Sequence, residues 1–259
     1  MSTSREQPVR NFSSFYEENQ AVYETLLNID PSAYEKYIDW LSLRPGATIL
    51  EVGCGIGYVA NEMARRGYNA YGVDANRIAI EQAQKGPGTF TLLGDYRLPY
   101  ADGFFDVVGS YTVIEHVGDP ETFLDEQVRV LKAGGRLVVA CPNFLKFAGV
   151  ASHHPRTRGF PAKVRNAVML AQKALRYALT KRYSFEMMEP IVRERFEPDD
   201  DAIVVTNPVD ICAALRVRGL SIVYAAGTER YWSPLLEKIS RMPFIRSVVG
   251  SVFVVGEKR

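Results

Sequence analysis

Apolar and polar positions change period several times along this chain, and each change marks an element. Between Ala47 and Pro142, short apolar runs (ATILEV, NAYGVD, TFTLL, FFDVVGS, GGRLVVACP) alternate with stretches of helical spacing. Near-continuous runs of this kind suit strands covered on both faces. Their alternation with helices predicts an α/β fold, a doubly wound and mostly parallel sheet. Two helical stretches precede it, residues 12–28 and 32–42, divided at Asp30-Pro31 and rich in aromatic residues. After Pro142 the alternation stops until NPVDICAALRVRGLSIVYA, where Asn207-Pro208 signals a helix start. SVFVVGEKR reads as the last strand, and a helix is expected around Pro234 to Met242 before it.

The densest chemistry lies in ILEVGCGIGYVA, residues 49–60. A strand runs into Glu51, and glycines at 53, 55 and 57 precede a helix. Glycines permit a tight turn and a close backbone approach by a ligand. The dinucleotide fingerprint needs a glycine where Tyr58 stands, so the spacing argues against a nicotinamide enzyme. Glu51 argues the same way: a carboxylate there repels a pyrophosphate but suits a cationic ligand. S-adenosylmethionine, with an ammonium and a sulfonium and no phosphate, fits that demand.

Later strand ends continue the pattern. Asp74 closes NAYGVD, where α/β nucleoside sites place an acid on ribose hydroxyls; it is also a candidate cap for the helix starting near Ala75. Asp95 follows the third strand, placed to accept an adenine amino group while the Tyr96 amide meets a ring nitrogen. Tyr111 ends the fourth. Ligands of open α/β sheets bind at these carboxyl ends.

EVGCGIGYVA, GVDAN, GDYRLPYADGFFDVV, VIEHVGDP and LKAGGRLVVACPN, in this order, resemble the class I S-adenosylmethionine-dependent methyltransferases. The likeness is strongest to the small-molecule group with E-V-G-C-G-x-G in its first motif, and covers roughly residues 47–143. It implies a seven-stranded Rossmann-like sheet, with residues 12–42 as cap helices, 144–200 as a helical insertion after the fifth strand, and 207–259 as the closing helix and strands of one domain. It further implies that Glu51, Gly53, Gly55 and Gly57 line the methionine end, that Asp74 with Ala75 meets the ribose and Asp95 with Tyr96 the adenine, and that Tyr111 lies near the methionine part. Cys54 enters through its backbone as a small filler. Tyr16, on a cap helix, is a further candidate contact, set against a plain core role.

Composition changes the picture little: 259 residues, 47% hydrophobic and a net charge of +1 suit one soluble domain with a sizeable core. MSTSREQPVR carries no signal-peptide pattern, and no apolar run is long enough to cross a bilayer. The cysteines at 54, 141 and 212 stand in apolar or motif contexts, which points to reduced thiols and a cytoplasmic protein. No cysteine–histidine cluster suggests a metal. The charge is unevenly distributed, however. No acidic residue lies between Glu126 and Glu186, while twelve basic ones do. Within that segment, positions 164, 167, 168, 171, 175, 178 and 179 form an apolar stripe at helical spacing. The first reading is a lid helix whose stripe packs on the domain. A peripheral membrane-surface contact through 160–182 and a homodimer contact are the alternatives.

Methyl transfer to an alcohol or phenol needs a base. His116 in VIEHVGDP is the first candidate, although a structural place beside the cofactor competes with that role. His153 and His154, in the insertion, are the others. The expectation is a methyltransferase acting on a small or lipid-like acceptor, with O-methylation ahead of C- and N-methylation. GSYT stands where methyltransferases of nucleic acids and proteins carry an N-P-P-Y type motif, which argues against a nucleic-acid substrate. An RNA methyltransferase and a non-catalytic cofactor-binding subunit remain as alternatives.

Overall fold

The computed structural model describes residues 30–148, 154–191, 197, 199–231, 233–248 and 250–259. The first expected helix, 12–28, and with it Tyr16, lies outside the described residues, as does His153. The second expected helix is shorter than its pattern. Pro31–Ala33 form a single 3-10 turn capped by Asp30, and α1 then runs Glu35–Leu41.

The strand–helix alternation follows as β1 (Thr48–Val52), α2 (Tyr58–Arg65), β2 (Asn69–Asp74), α3 (Arg77–Ala83), β3 (Thr89–Leu92), β4 (Phe105–Tyr111), α4 (Pro120–Val130) and β5 (Leu131–Pro142). The order across the sheet is β3-β2-β1-β4-β5-β7-β6, where β6 is Leu220–Ala226 and β7 is Ser251–Lys258. β7 pairs antiparallel with both its neighbours, and the other pairings are parallel.

Side-chain alternation explains why β5 reads as one unbroken apolar run. Leu137, Val139 and Cys141 enter one core with Leu50, Val108 and Val254. Val138 and Ala140 enter the opposite core with Ile49, Val107 and Phe253. Each strand residue finds apolar cover whichever way it points. α1 lies on the second face, through Tyr37, Ile38 and Leu41.

Helix starts follow local chemistry. The Asn76 side chain caps α3 by accepting the Ala79 N–H, so Asp74 is not the cap that its position suggested. Asn207 caps α6 (Pro208–Val217) as its Asn-Pro signal predicts. Between β6 and β7 there are two helices rather than one, α7 (Pro234–Ser240) and α8 (Pro243–Val248). Pro243 lacks the N–H that would continue the first.

The insertion is built around α5 (Phe160–Thr180). Its orientation reverses the expected packing. Only Asn166 and Leu170 of this helix are buried, while Val164, Val168, Leu175 and Leu179 are 47–76% exposed. Polar tethers set the rotation. The Asn166 amide donates to the carbonyls of Phe144, Lys146 and Arg156, and Lys173 reaches Asp210 of α6 at 2.7 Å. With these groups drawn inward, the apolar stripe faces away from the domain.

Candidate functional site

The candidate site lies along the carboxyl edge of the sheet, and Glu51 is its innermost group. Its Oε2 accepts the N–H of Ala60, in the first turn of α2. Burial pushes this carboxyl up to about 8, the Ala60 bond opposing the rise and Asp74 adding to it. No cation pairs with Glu51 among the described residues.

The glycine loop bends because its backbone is pinned from β2. The N–H groups of Gly53 and Cys54 both donate to the Val73 carbonyl. The Gly55 N–H donates to Asp74 Oδ2 at 2.8 Å, and the Asn76 N–H to Oδ1 of the same carboxylate. Gly53 and Gly55 both take positive φ, +73° and +51°. A Cβ on Gly53 would stand 2.3 Å from Val113, whereas one on Gly55 would meet nothing within 4 Å. One glycine therefore serves close packing, and the other keeps a backbone edge open. The Cys54 side chain turns away into a cluster with Ala60, Ile80, Ala83 and Phe90. Burial holds its thiol well above the usual range. Ala75 is exposed just past Asp74.

Asp95 is exposed and accepts the Arg97 N–H through Oδ1. The Tyr96 hydroxyl accepts the N–H groups of Gly118 and Asp119, which ties the loop after β3 to the start of α4. Tyr111 packs with its ring centroid 4.9 Å from that of Tyr34 and 5.3 Å from that of Tyr37, and donates to the Ala33 carbonyl. Tyr34 also meets Tyr58, which occupies the first position of α2.

These tyrosines form a wall that the pattern of the chain did not announce. Tyr37 is fully buried, and a Cβ on Gly109 would lie 2.3 Å from its hydroxyl. Gly109 pairs with Glu51 across β1 and β4. Thr112 was also missed. It sits at the end of β4 with φ +52°, a costly region for a β-branched residue.

The histidine candidates separate. His116 ends a 3-10 turn after β4, with Nδ1 3.3 Å from Asp201 Oδ2 and Nε2 3.7 Å from Glu115 Oε1. Glu115 is wholly buried, and burial pushes its carboxyl up to about 7, with His116 pulling it back down. Asp201 comes just after the insertion, so no local motif links it to His116. His154 is buried instead. Its ring lies 4.9 Å from that of Phe144, and its Nδ1 accepts the Arg156 N–H. In this position it packs within the start of the insertion.

The family model described as "Methyltransferase domain" matches residues 50–139, the span holding β1 through most of β5. Over residues 50–139 the chain is a methyltransferase domain, set in the sheet shared with S-adenosylmethionine-dependent methyltransferases. A ubiquinone biosynthesis O-methyltransferase from Cereibacter sphaeroides is 28% identical over 198 residues, 71% of this methyltransferase and 74% of that protein. An uncharacterised 37.1 kDa protein in transposon TN4556 of Streptomyces fradiae is 31% identical over 198 residues, 70% of this chain and 57% of that one. The methyltransferase spans about half the length of most of the curated relatives it matches. Among solved structures, a putative S-adenosylmethionine dependent methyltransferase from Listeria monocytogenes aligns with a TM-score of 0.58 and 13% identity, over 89% of this chain and all of that one.

S-adenosylmethionine is the cofactor this domain implies, and the site fits it. The buried Glu51 carboxyl lacks a cationic partner among the described residues, and the side of Gly55 where a side chain would project is open.

Proposed function

We propose that this methyltransferase alkylates a hydroxyl oxygen of a small or lipid-like acceptor. The observation that carries the reading is the His116–Asp201 pair at the carboxyl end of β4. S-adenosylmethionine supplies an electrophilic methyl on a cationic sulfur, so the protein need not provide a nucleophile. It must align the acceptor and take a proton from it. In this reading His116 takes that proton through Nε2, and the Asp201 carboxylate, near Nδ1 but not hydrogen-bonded to it, favours the charged ring through its field. Glu115, buried beside the ring, biases where the proton rests. The names of several relatives support oxygen as the methylated atom.

The cofactor residues follow in the same reading. Glu51 provides the negative field for the methionine end. The Gly53–Gly57 loop brings backbone against it, and Asp74 accepts from the ribose with lone pairs left after binding Gly55 and Asn76. Asp95 and Tyr96 border the adenine, while Tyr111, held by Tyr34 and Tyr37, closes the methionine side.

The test is transfer of a labelled methyl group from S-adenosylmethionine to a panel of phenols and alcohols, followed by mass analysis of the product. Products methylated on oxygen, and lost in His116→Ala, are expected. Methylation only on nitrogen or carbon, or undiminished turnover by His116→Ala, would remove the reading.

A further inference from the structure

We propose that this protein docks on an anionic lipid bilayer through the outward stripe of α5. On a helical wheel of roughly 100° per residue, Phe160, Val164, Val168, Leu175 and Leu179 fall within an arc of about 100°. Their exposures run from 47% to 78%. The buried Asn166 and Leu170 lie on the opposite side, so this stripe points directly away from the domain. The three carbonyls held by Asn166 fix it there.

Charge identifies the occupant. α5 contains no acidic residue. Lys163, and Lys181 at the C-cap, border the apolar arc on one side of the wheel; Arg165 and Arg176 border it on the other, their guanidinium groups donating to the Arg156 carbonyl and Ser184 Oγ. Arg158 and Arg182 stand exposed just beyond the two ends. An apolar arc flanked by cations whose stems reach toward an interface is the pattern of a helix lying in the headgroup layer. A second protein copy would bring the same cations face to face.

The α7–α8 segment carries further exposed apolar residues. Leu235, Met242 and Phe244 of the α7–α8 segment are 54–68% exposed. α8 joins α5 in one core, where Val248 packs with Leu170 and Met169. Both helices belong to connections on the carboxyl edge: the insertion leaves β5 at Pro142, and α8 precedes Ser251, which pairs with Pro142. The docking surface and the candidate site therefore share one edge of the sheet. Docking rests on these surfaces alone. That the bilayer also delivers the acceptor rests on the proposed function.

Vesicle flotation of the full chain tests this. The chain should float with phosphatidylcholine vesicles containing about one-third phosphatidylglycerol and far less with phosphatidylcholine alone, and raised salt should reduce flotation. Val168→Glu with Leu175→Glu should cut binding at least tenfold while leaving S-adenosylhomocysteine affinity unchanged, which shows an intact fold. Lys181→Gln and Arg182→Gln should each weaken binding about fivefold. Wild-type protein that stays at the bottom with both vesicles would overturn the proposal, as would a double variant that floats like wild type. A dimer broken by Leu175→Glu, without vesicle binding, would overturn it too and assign the stripe to a second copy. Flotation without oxygen methylation would leave docking standing and reject only the acceptor reading.

Discussion

Asp201 Oδ2 stands 3.3 Å from His116 Nδ1, although the insertion lies between the two residues in the chain. A turn after β4 presents the imidazole, and the returning chain supplies the carboxylate. The Ile203 and Val204 N–H groups donate to the Glu115 carbonyl and lock the two segments together. The relationship brings the segment that directly follows the insertion to the candidate catalytic histidine.

If His116 takes the acceptor proton, His116→Ala should lower kcat about 10²–10⁴-fold. Asp201→Asn keeps the shape and removes the charge, so a smaller loss, about tenfold, is expected. Cofactor affinity should stay unchanged in both, as measured by calorimetry with S-adenosylhomocysteine. An Asp201→Asn enzyme with wild-type kcat would show that the field of the carboxylate does not assist the base.

The buried carboxyls make stability depend on pH. Glu51 and Glu115 have folded pKa values raised to about 8 and about 7. Between the ordinary glutamate range and those values, the folded state holds protons that the unfolded state has released. Stability is therefore full below about pH 4.5 as far as these groups are concerned, and falls as pH rises toward 7–8. The slope approaches about 1.4 kcal/mol per pH unit for each group. Urea melts of the cofactor-free protein across that window should show this decline, and Glu51→Gln or Glu115→Gln should flatten it. Parallel curves for wild type and both variants would contradict the protonated state.

Cationic cofactor binding should couple to the same proton. If S-adenosylmethionine places positive charge near Glu51, binding at pH 7 should release a proton that Glu51→Gln does not release. Calorimetry in two buffers of different ionisation enthalpy reads this directly. Equal heats in both buffers would place the ligand charge elsewhere.

Asp74→Ala removes both a proposed ribose acceptor and the tether of Gly55. Cofactor affinity should drop by about 1–3 kcal/mol, with a further stability loss of about 1 kcal/mol from the freed loop amides. A variant that loses stability yet binds as wild type would confine Asp74 to holding the loop.

The two loop glycines should behave differently. Gly53→Ala combines a positive φ with a collision on Val113, and should destabilise by about 2 kcal/mol or more. Gly55→Ala has the strained φ but open space, so it should cost about 1 kcal/mol of stability while weakening the cofactor more strongly. Similar losses of stability in both would show that the space beside Gly55 is not open.

Much of this was already legible in the chain. Apolar runs of strand length between helical stretches dictated a parallel sheet, since only strands covered on both faces need such runs. The glycine spacing and the acids at successive strand ends named the ligand chemistry, because one βα unit carries each signal locally. Tertiary structure decided what local pattern cannot encode. Asp201 meets His116, and Tyr37 covers Glu51's strand partner, only once distant segments pack. His154 and the α5 stripe show the same limit in reverse. Periodicity revealed an apolar face but not its direction, and three carbonyls gathered around Asn166 turned that face outward.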